Sequence, residues 1–329
     1  MQTEKKMRLM WLVMAAATVI SVVLSSVSML LEFESDIGYY TRFAPIRTAS
    51  QILTALFIIF AAVITFTSKK HELCPVLNYN SAAFRFFASM TACLSLLNTY
   101  VEFTTLRTTL GTNAVPVSSS NVITILALAS SVASFFVYFN YCFGKNEKRS
   151  SSRGLCGMIS VAYLLFHLME THLVWPAQMN NPVKNALQIS LIVTIFALTY
   201  TFKCEFAVNK ASGRLRTFFM LVCPILTLTF AIPTVIAYYA RIYTSFGTLV
   251  DAIYLICACG FVLASYMPVA KARPIAAAEW AEISASLEDG KDDGVDLTEY
   301  TENTANETEK TAETDAASPE NEEKSNDEE

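Results

Sequence analysis

The chain has 329 residues, of which 53% are apolar (counting Ala, Val, Ile, Leu, Met, Phe, Trp, Tyr and Cys) and only 16% charged, whereas soluble domains carry about a quarter charged residues. Charge is also segregated. Residues 1–274 hold 21 Lys/Arg against 10 Asp/Glu, and residues 275–329 hold 3 against 19. This excludes an ordinary water-soluble enzyme. It implies an all-α, polytopic transmembrane helix bundle over 1–274 and an acidic, mostly disordered tail over 275–329, whose composition cannot offset the entropy of ordering.

A spanning helix needs about 20 mostly apolar residues. Eight stretches qualify, at about 9–31, 50–67, 82–103, 122–143, 155–175, 185–202, 217–240 and 249–267. They are apolar around the whole circumference, as expected where lipid and neighbouring helices replace water. The first run is longer than the 7–15 residues of a signal-peptide core, which favours an uncleaved anchor, although Ser26-Val27-Ser28 would offer a cleavage site. Alternate connections are basic: 16 Lys/Arg fall on the side of the amino terminus and 5 (Arg42, Arg47, Arg107, Lys184, Arg241) on the other. The expected orientation therefore has both termini in the cytoplasm, in a plasma membrane. None of the eight cysteines falls in an expected outer loop, so no structural disulfide is expected.

The third span carries Thr91, Ser95, Asn98 and Glu102 at i, i+4, i+7 and i+11, a single polar line. This line reads either as interhelical hydrogen-bond glue or as one wall of an outward-opening vestibule. In the vestibule reading, Glu170, Gln188, Tyr238, Asp251 and Tyr254 lie on neighbouring spans and Glu32, Glu34 and Asp36 lie in the adjoining loop. The fifth span contains His167-Leu-Met-Glu170-Thr171-His172, with His167, Glu170 and Thr171 on one face. His167 is expected near the midplane. A carboxylate inside a span costs about 2.5–3.5 kcal/mol on insertion scales, so Glu170 must face protein, water or a partner. In the seventh span Pro224 and Pro233 each remove a backbone donor and mark a static kink or a hinge. Gly157 and Gly260 are the only glycines well inside helices, which speaks against the unwound helices of many transporters.

Enzyme motifs are missing. His71-Glu72 has no second histidine in register, and His167 and His172 lie about 140° apart on a helix and cannot share a zinc ion. No nucleophile elbow or phosphate-binding glycine loop is present, and no basic patch suits nucleic acid. No metal or cofactor is expected.

The segment Leu31-Glu-Phe-Glu-Ser-Asp36-Ile-Gly38-Tyr-Tyr40, followed by a short loop and an apolar span, resembles a pattern in bacterial multi-pass membrane proteins that have no assigned activity. The resemblance implies membrane placement and nothing about mechanism. The leading expectation is a non-enzymatic, sensor- or scaffold-like protein that binds a small extracellular ligand or another membrane protein within the lipid bilayer. The candidate ligand or coupling residues are His167, Glu170, Asn98, Glu102 and Asp251. The alternative is a small-solute or proton-coupled transporter using His167 and Glu170.

Overall fold

The computed structural model describes residues 2–35, 37–67, 81–112, 119–144, 151–174, 181–206, 213–243 and 245–271. Asp36, Cys74, the loop at 68–80 and the acidic tail lie outside the described residues. Within them the chain forms eight helices: α1 (Gln2–Leu31), α2 (Pro45–Thr67), α3 (Ala82–Thr112), α4 (Ser119–Phe143), α5 (Ser151–Leu173), α6 (Pro182–Phe206), α7 (Gly213–Tyr239) and α8 (Phe246–Lys271). The only strands among the described residues are β1 (Phe33–Glu34) and β2 (Tyr39–Tyr40), an antiparallel hairpin pairing Phe33 with Tyr40.

Seven helices are long and apolar enough to cross a membrane. The exception is α3, although it is the longest at 31 residues, because the polar line from Thr91 to Glu102 and the flanking Arg85 and Arg107 lower its hydropathy. It also continues nine residues beyond the expected end at 103. Thr104, Thr105 and Thr108 return their hydroxyls to carbonyls of the preceding turn, so this polar segment satisfies itself as helix. The loop expected at 104–121 is correspondingly shorter.

Helices α3, α4, α5, α6, α7 and α8 pack in that order as a ring, and α8 closes it against α3. Helices α1 and α2 lie outside the ring against α7. Burial follows this plan: 61% of the spanning window is buried in α6, α7 and α8, but only 28% in α1 and 22% in α2. The outward faces carry large apolar side chains, among them Leu12, Val19, Ile52, Leu56, Val63 and Phe136. Such a belt would be an aggregation surface in water and is a normal surface in lipid.

The two interior glycines are packing devices. A Cβ on Gly157 of α5 would strike the ring of Phe202 on α6, and one on Gly260 of α8 would strike Phe87 on α3. Neither helix is unwound there. Helix α7 likewise runs unbroken through Pro224 and Pro233.

The hairpin is tied to the bundle through Glu32. Its carboxylate accepts hydrogen bonds from the Ile46 amide (2.9 Å), the Arg47 amide (2.9 Å) and the Ser28 hydroxyl (2.8 Å). It thus caps the amino terminus of α2, where the helix dipole favours a negative charge. Burial pushes this carboxyl up, but the three hydrogen bonds and the neighbouring Arg47 outweigh it and hold Glu32 below its ordinary value of 4.5.

Two outcomes follow from these contacts. Gly157→Ala should lower stability by about 1–3 kcal/mol through overpacking. Gly260→Ala should cost less, because Phe87 is only partly buried and can yield while Phe202 is fully buried. Thermal unfolding of the purified protein in detergent ranks the two. For Glu32, a depressed folded value means that its stabilisation is complete above about pH 4.5 and is lost as pH falls through the folded value. The gap in thermal midpoint between wild type and Glu32→Gln should therefore be open at pH 7 and narrow progressively in acid.

Candidate functional site

The polar line of α3 and the histidine face of α5 meet inside the ring, and α8 supplies a third side. His167 Nδ1 lies 3.1 Å from Glu102 Oε1 and 3.7 Å from Glu170 Oε2, and His167 Nε2 lies 3.1 Å from Asp251 Oδ1. One imidazole thus faces three carboxyl groups from three helices. All four side chains are closed in, with exposures of 6–13%. Glu170 is held from its other side by the hydroxyl of Thr124 on α4, at 2.8 Å.

Local helix geometry explains the convergence. Residues three or four apart share a helix face. Tyr163, His167 and Glu170 therefore line the inward face of α5, as Asn98 and Glu102 line that of α3. Tyr163 stacks on the imidazole at 5.9 Å between centroids and meets Tyr254 of α8 edge-on at 5.7 Å. Among the described residues the Asn98 amide nitrogen and the Tyr138, Tyr163 and Tyr254 hydroxyls are buried without a well-formed hydrogen bond. The centre therefore continues into the bundle as a polar, hydroxyl-lined column. His167 Nε2 also makes no well-formed hydrogen bond, so its approach to Asp251 is one of charge and distance rather than alignment.

The column ends on an aromatic layer, Phe84, Tyr141, Phe202 and Phe261, with centroids 4.6–6.1 Å apart. Below it lies a second charged cluster. The Arg153 guanidinium reaches Glu205 Oε1 through Nε at 2.7 Å, and the Tyr141 hydroxyl donates to Glu205 Oε2. Arg153 was countable in the sequence only as a topology marker. Lys184 is another such marker that turns out to be buried, its ammonium donating to the His172 carbonyl at 3.2 Å near the end of α5.

Of the sequence candidates, His167, Glu170, Glu102 and Asp251 form one constellation, and Asn98 lies one turn from Glu102 on the same face. His167 sits five residues past the middle of α5 and six before its end at Leu173. Gln188 and Tyr238 do not join it: the Gln188 amide contacts the His172 ring at the surface, and Tyr238 packs on Tyr239. Thr124 and Tyr163 were missed. Only Tyr163 left a signal, standing one turn before His167. Pro224 and Pro233 lie away from the centre on α7.

Glu102, His167 and Glu170 offer one ligand atom each within 4.8 Å of one another, a spacing that suits a bound cation. Asp251 on the far ring nitrogen would then orient the imidazole. Without a metal, both ring nitrogens face carboxyl oxygens, so the imidazole carries two protons or a carboxyl carries one. A single positive charge cannot balance three carboxylates in a low-dielectric interior, and such a centre holds a shared proton or a cation.

Fold and site together define a multi-pass helical membrane protein with an ionisable centre enclosed by its helices. Comparison with known protein families, with curated proteins and with solved structures gives no match.

The lower cluster has the marks of structural pairing, being buried and engaged on both Glu205 oxygens. Glu205→Gln leaves Arg153 buried without its counter-charge and should destabilise by about 3–5 kcal/mol. The double variant Arg153→Met, Glu205→Leu should regain most of that loss. Denaturant midpoints of the three proteins in detergent check this.

Proposed function

We propose that the protein is a proton-coupled transporter of a small solute, with the Glu102–His167–Glu170–Asp251 centre as its coupling site. The observation that carries this reading is the single imidazole set among three carboxyl groups from α3, α5 and α8. In the orientation that the basic loops favour, the centre lies toward the outer face of a plasma membrane, and both termini and the acidic tail are cytoplasmic.

Coupling follows from electrostatics. With its protons bound, the centre draws α3, α5 and α8 together. With a proton lost, the carboxylates repel, those of Glu102 and Glu170 with oxygens within 4.8 Å of each other, and separation of the helices is favoured. Glycine does not provide the flexibility here, since both interior glycines are packed against aromatic rings. Movement would have to be rigid-body displacement of whole helices, as in rocking or shear.

The donor spacing supports a second reading, in which a divalent metal ion is the cargo, held by His167 Nδ1, Glu102 and Glu170. The ligand- or partner-binding reading finds less support, because the four side chains are enclosed rather than presented at an open mouth.

Infrared difference spectra across a pH step test the site. Wild type should show the C=O stretch of a buried protonated carboxyl that vanishes on alkalinisation and is absent or shifted in Glu102→Gln and Asp251→Asn. Loss of that band on adding Mn2+ or Zn2+, with proton release, would favour the metal reading. Absence of any pH-dependent carboxyl band would remove the coupling site. Transport itself is tested by loading proteoliposomes from a mixed metabolite pool under an acid-outside gradient. The trapped solutes are then identified by mass spectrometry, and at least one should accumulate with wild type and fall at least tenfold with Glu170→Gln.

A further inference from the structure

A cavity of about 310 Å3 lies outside the ring, in the cleft between α2 and α6 with α1 and α7 as its floor. It shares no residue with the His167 centre. The volume is at the lower end of the range for small-molecule sites. Its lining changes along its length. Arg47, Ser50 and Gln51 stand at the hairpin end, and Ile58, Leu226 and Phe230 line the deeper part.

The cleft opens sideways. Gln51, Ala55 and Ile189 are exposed at its edge on the flank of the bundle. Its upper end is crossed by the hairpin: Tyr40 lines it, and the Asn181 amide donates to the Gly38 carbonyl at 3.4 Å, joining the hairpin to the start of α6. A flank that faces lipid, beneath an end crossed by protein, admits a molecule from the bilayer more readily than one from water.

Arg47 supplies the charge. Its guanidinium stacks on the Tyr40 ring at 3.9 Å, a cation–π contact that fixes its direction and leaves its N–H edge available. The nearby carboxylate of Glu32 is already engaged by two backbone amides and the Ser28 hydroxyl. Among the described residues no hydrogen bond or ion pair engages the Arg47 guanidinium. A part-buried, oriented arginine with no carboxylate of the described residues on its fork suits an anionic head group. From Arg47 to Ile58 the helix rises about 16 Å, roughly half the thickness of the hydrocarbon core, which suits an acyl chain of one leaflet.

We propose that this cleft binds one anionic amphiphile drawn from the membrane, its carboxylate or phosphate on Arg47 and its chain along Ile58, Leu226 and Phe230.

The test uses the full-length protein in a neutral detergent, with binding followed by native mass spectrometry and thermal shift. The probes are oleate, lysophosphatidylglycerol, lysophosphatidylcholine and inorganic phosphate. Oleate and lysophosphatidylglycerol should bind at least tenfold more tightly than lysophosphatidylcholine, and Arg47→Gln should abolish that preference. Ala186→Phe fills the cleft without touching the charge and should remove binding of both anionic amphiphiles, which keeps the test decisive if Arg47→Gln does not fold. Three results would overturn the proposal: equal binding of the zwitterionic lipid, undiminished binding in either variant, or full competition by inorganic phosphate at matching concentration. The last would make this a site for a free anion.

Discussion

Charge that has been taken out of water must be matched nearby, and this constraint shapes the bundle. Ionising a carboxyl group in a low-dielectric interior is costly unless a counter-charge or several hydrogen bonds lie within a few ångströms. The chain buries such groups at two levels. At one, Arg153 and Tyr141 close on Glu205, the guanidinium on one carboxylate oxygen and the hydroxyl on the other. At the other, His167 faces three carboxyl groups and the charges do not match without a proton or a cation. The first level pairs its ions directly, and the second is balanced only with a proton or a cation.

The aromatic layer between the two levels gives them separate roles. Phe84, Tyr141, Phe202 and Phe261 fill the axis of the ring with edge-on, tilted and stacked contacts, so the hydroxyl-lined column under His167 does not run through to the opposite end. Gly157 and Gly260 allow the close approach that this packing needs: Phe202 of the layer lies on Gly157, and Phe87 on Gly260. The small residues therefore serve density rather than flexibility. Any change of access to the centre must come from shifts between whole helices, which are bistable where interfaces are packed in this way. The peripheral pair α1 and α2, which bury the smallest share of their surface, are the elements least constrained by the ring, and the lateral cleft with Arg47 lies beside them.

Much of this was legible in the chain. The apolar runs marked the helices because lipid tolerates no other backbone arrangement than one whose polar groups are satisfied internally. The i, i+4, i+7 and i+11 line of α3 and the His167–Glu170 face of α5 were visible because helix periodicity alone places them on single faces. Even the shortfall of α3 as a span has the same origin, since the same polar line lowers its hydropathy. Sequence reading counted charges near helix ends only as loop markers and so missed their packing. Arg153 and Lys184 lie near helix ends and look like topology signals, yet each is buried and hydrogen-bonded by a residue on another helix.

What the sequence determined by itself was the set of helices, their faces and the presence of ionisable groups too costly to leave facing lipid. It could not determine which faces meet. That Glu102, Glu170 and Asp251 converge on one imidazole, while Gln188 and Tyr238 turn elsewhere, depends on the order of helices around the ring and on their relative rotation and height. These are set by contacts between residues far apart in the chain, such as Phe202 over Gly157 and Thr124 on Glu170. A linear pattern has a period but no partner, and only tertiary packing supplies the partner.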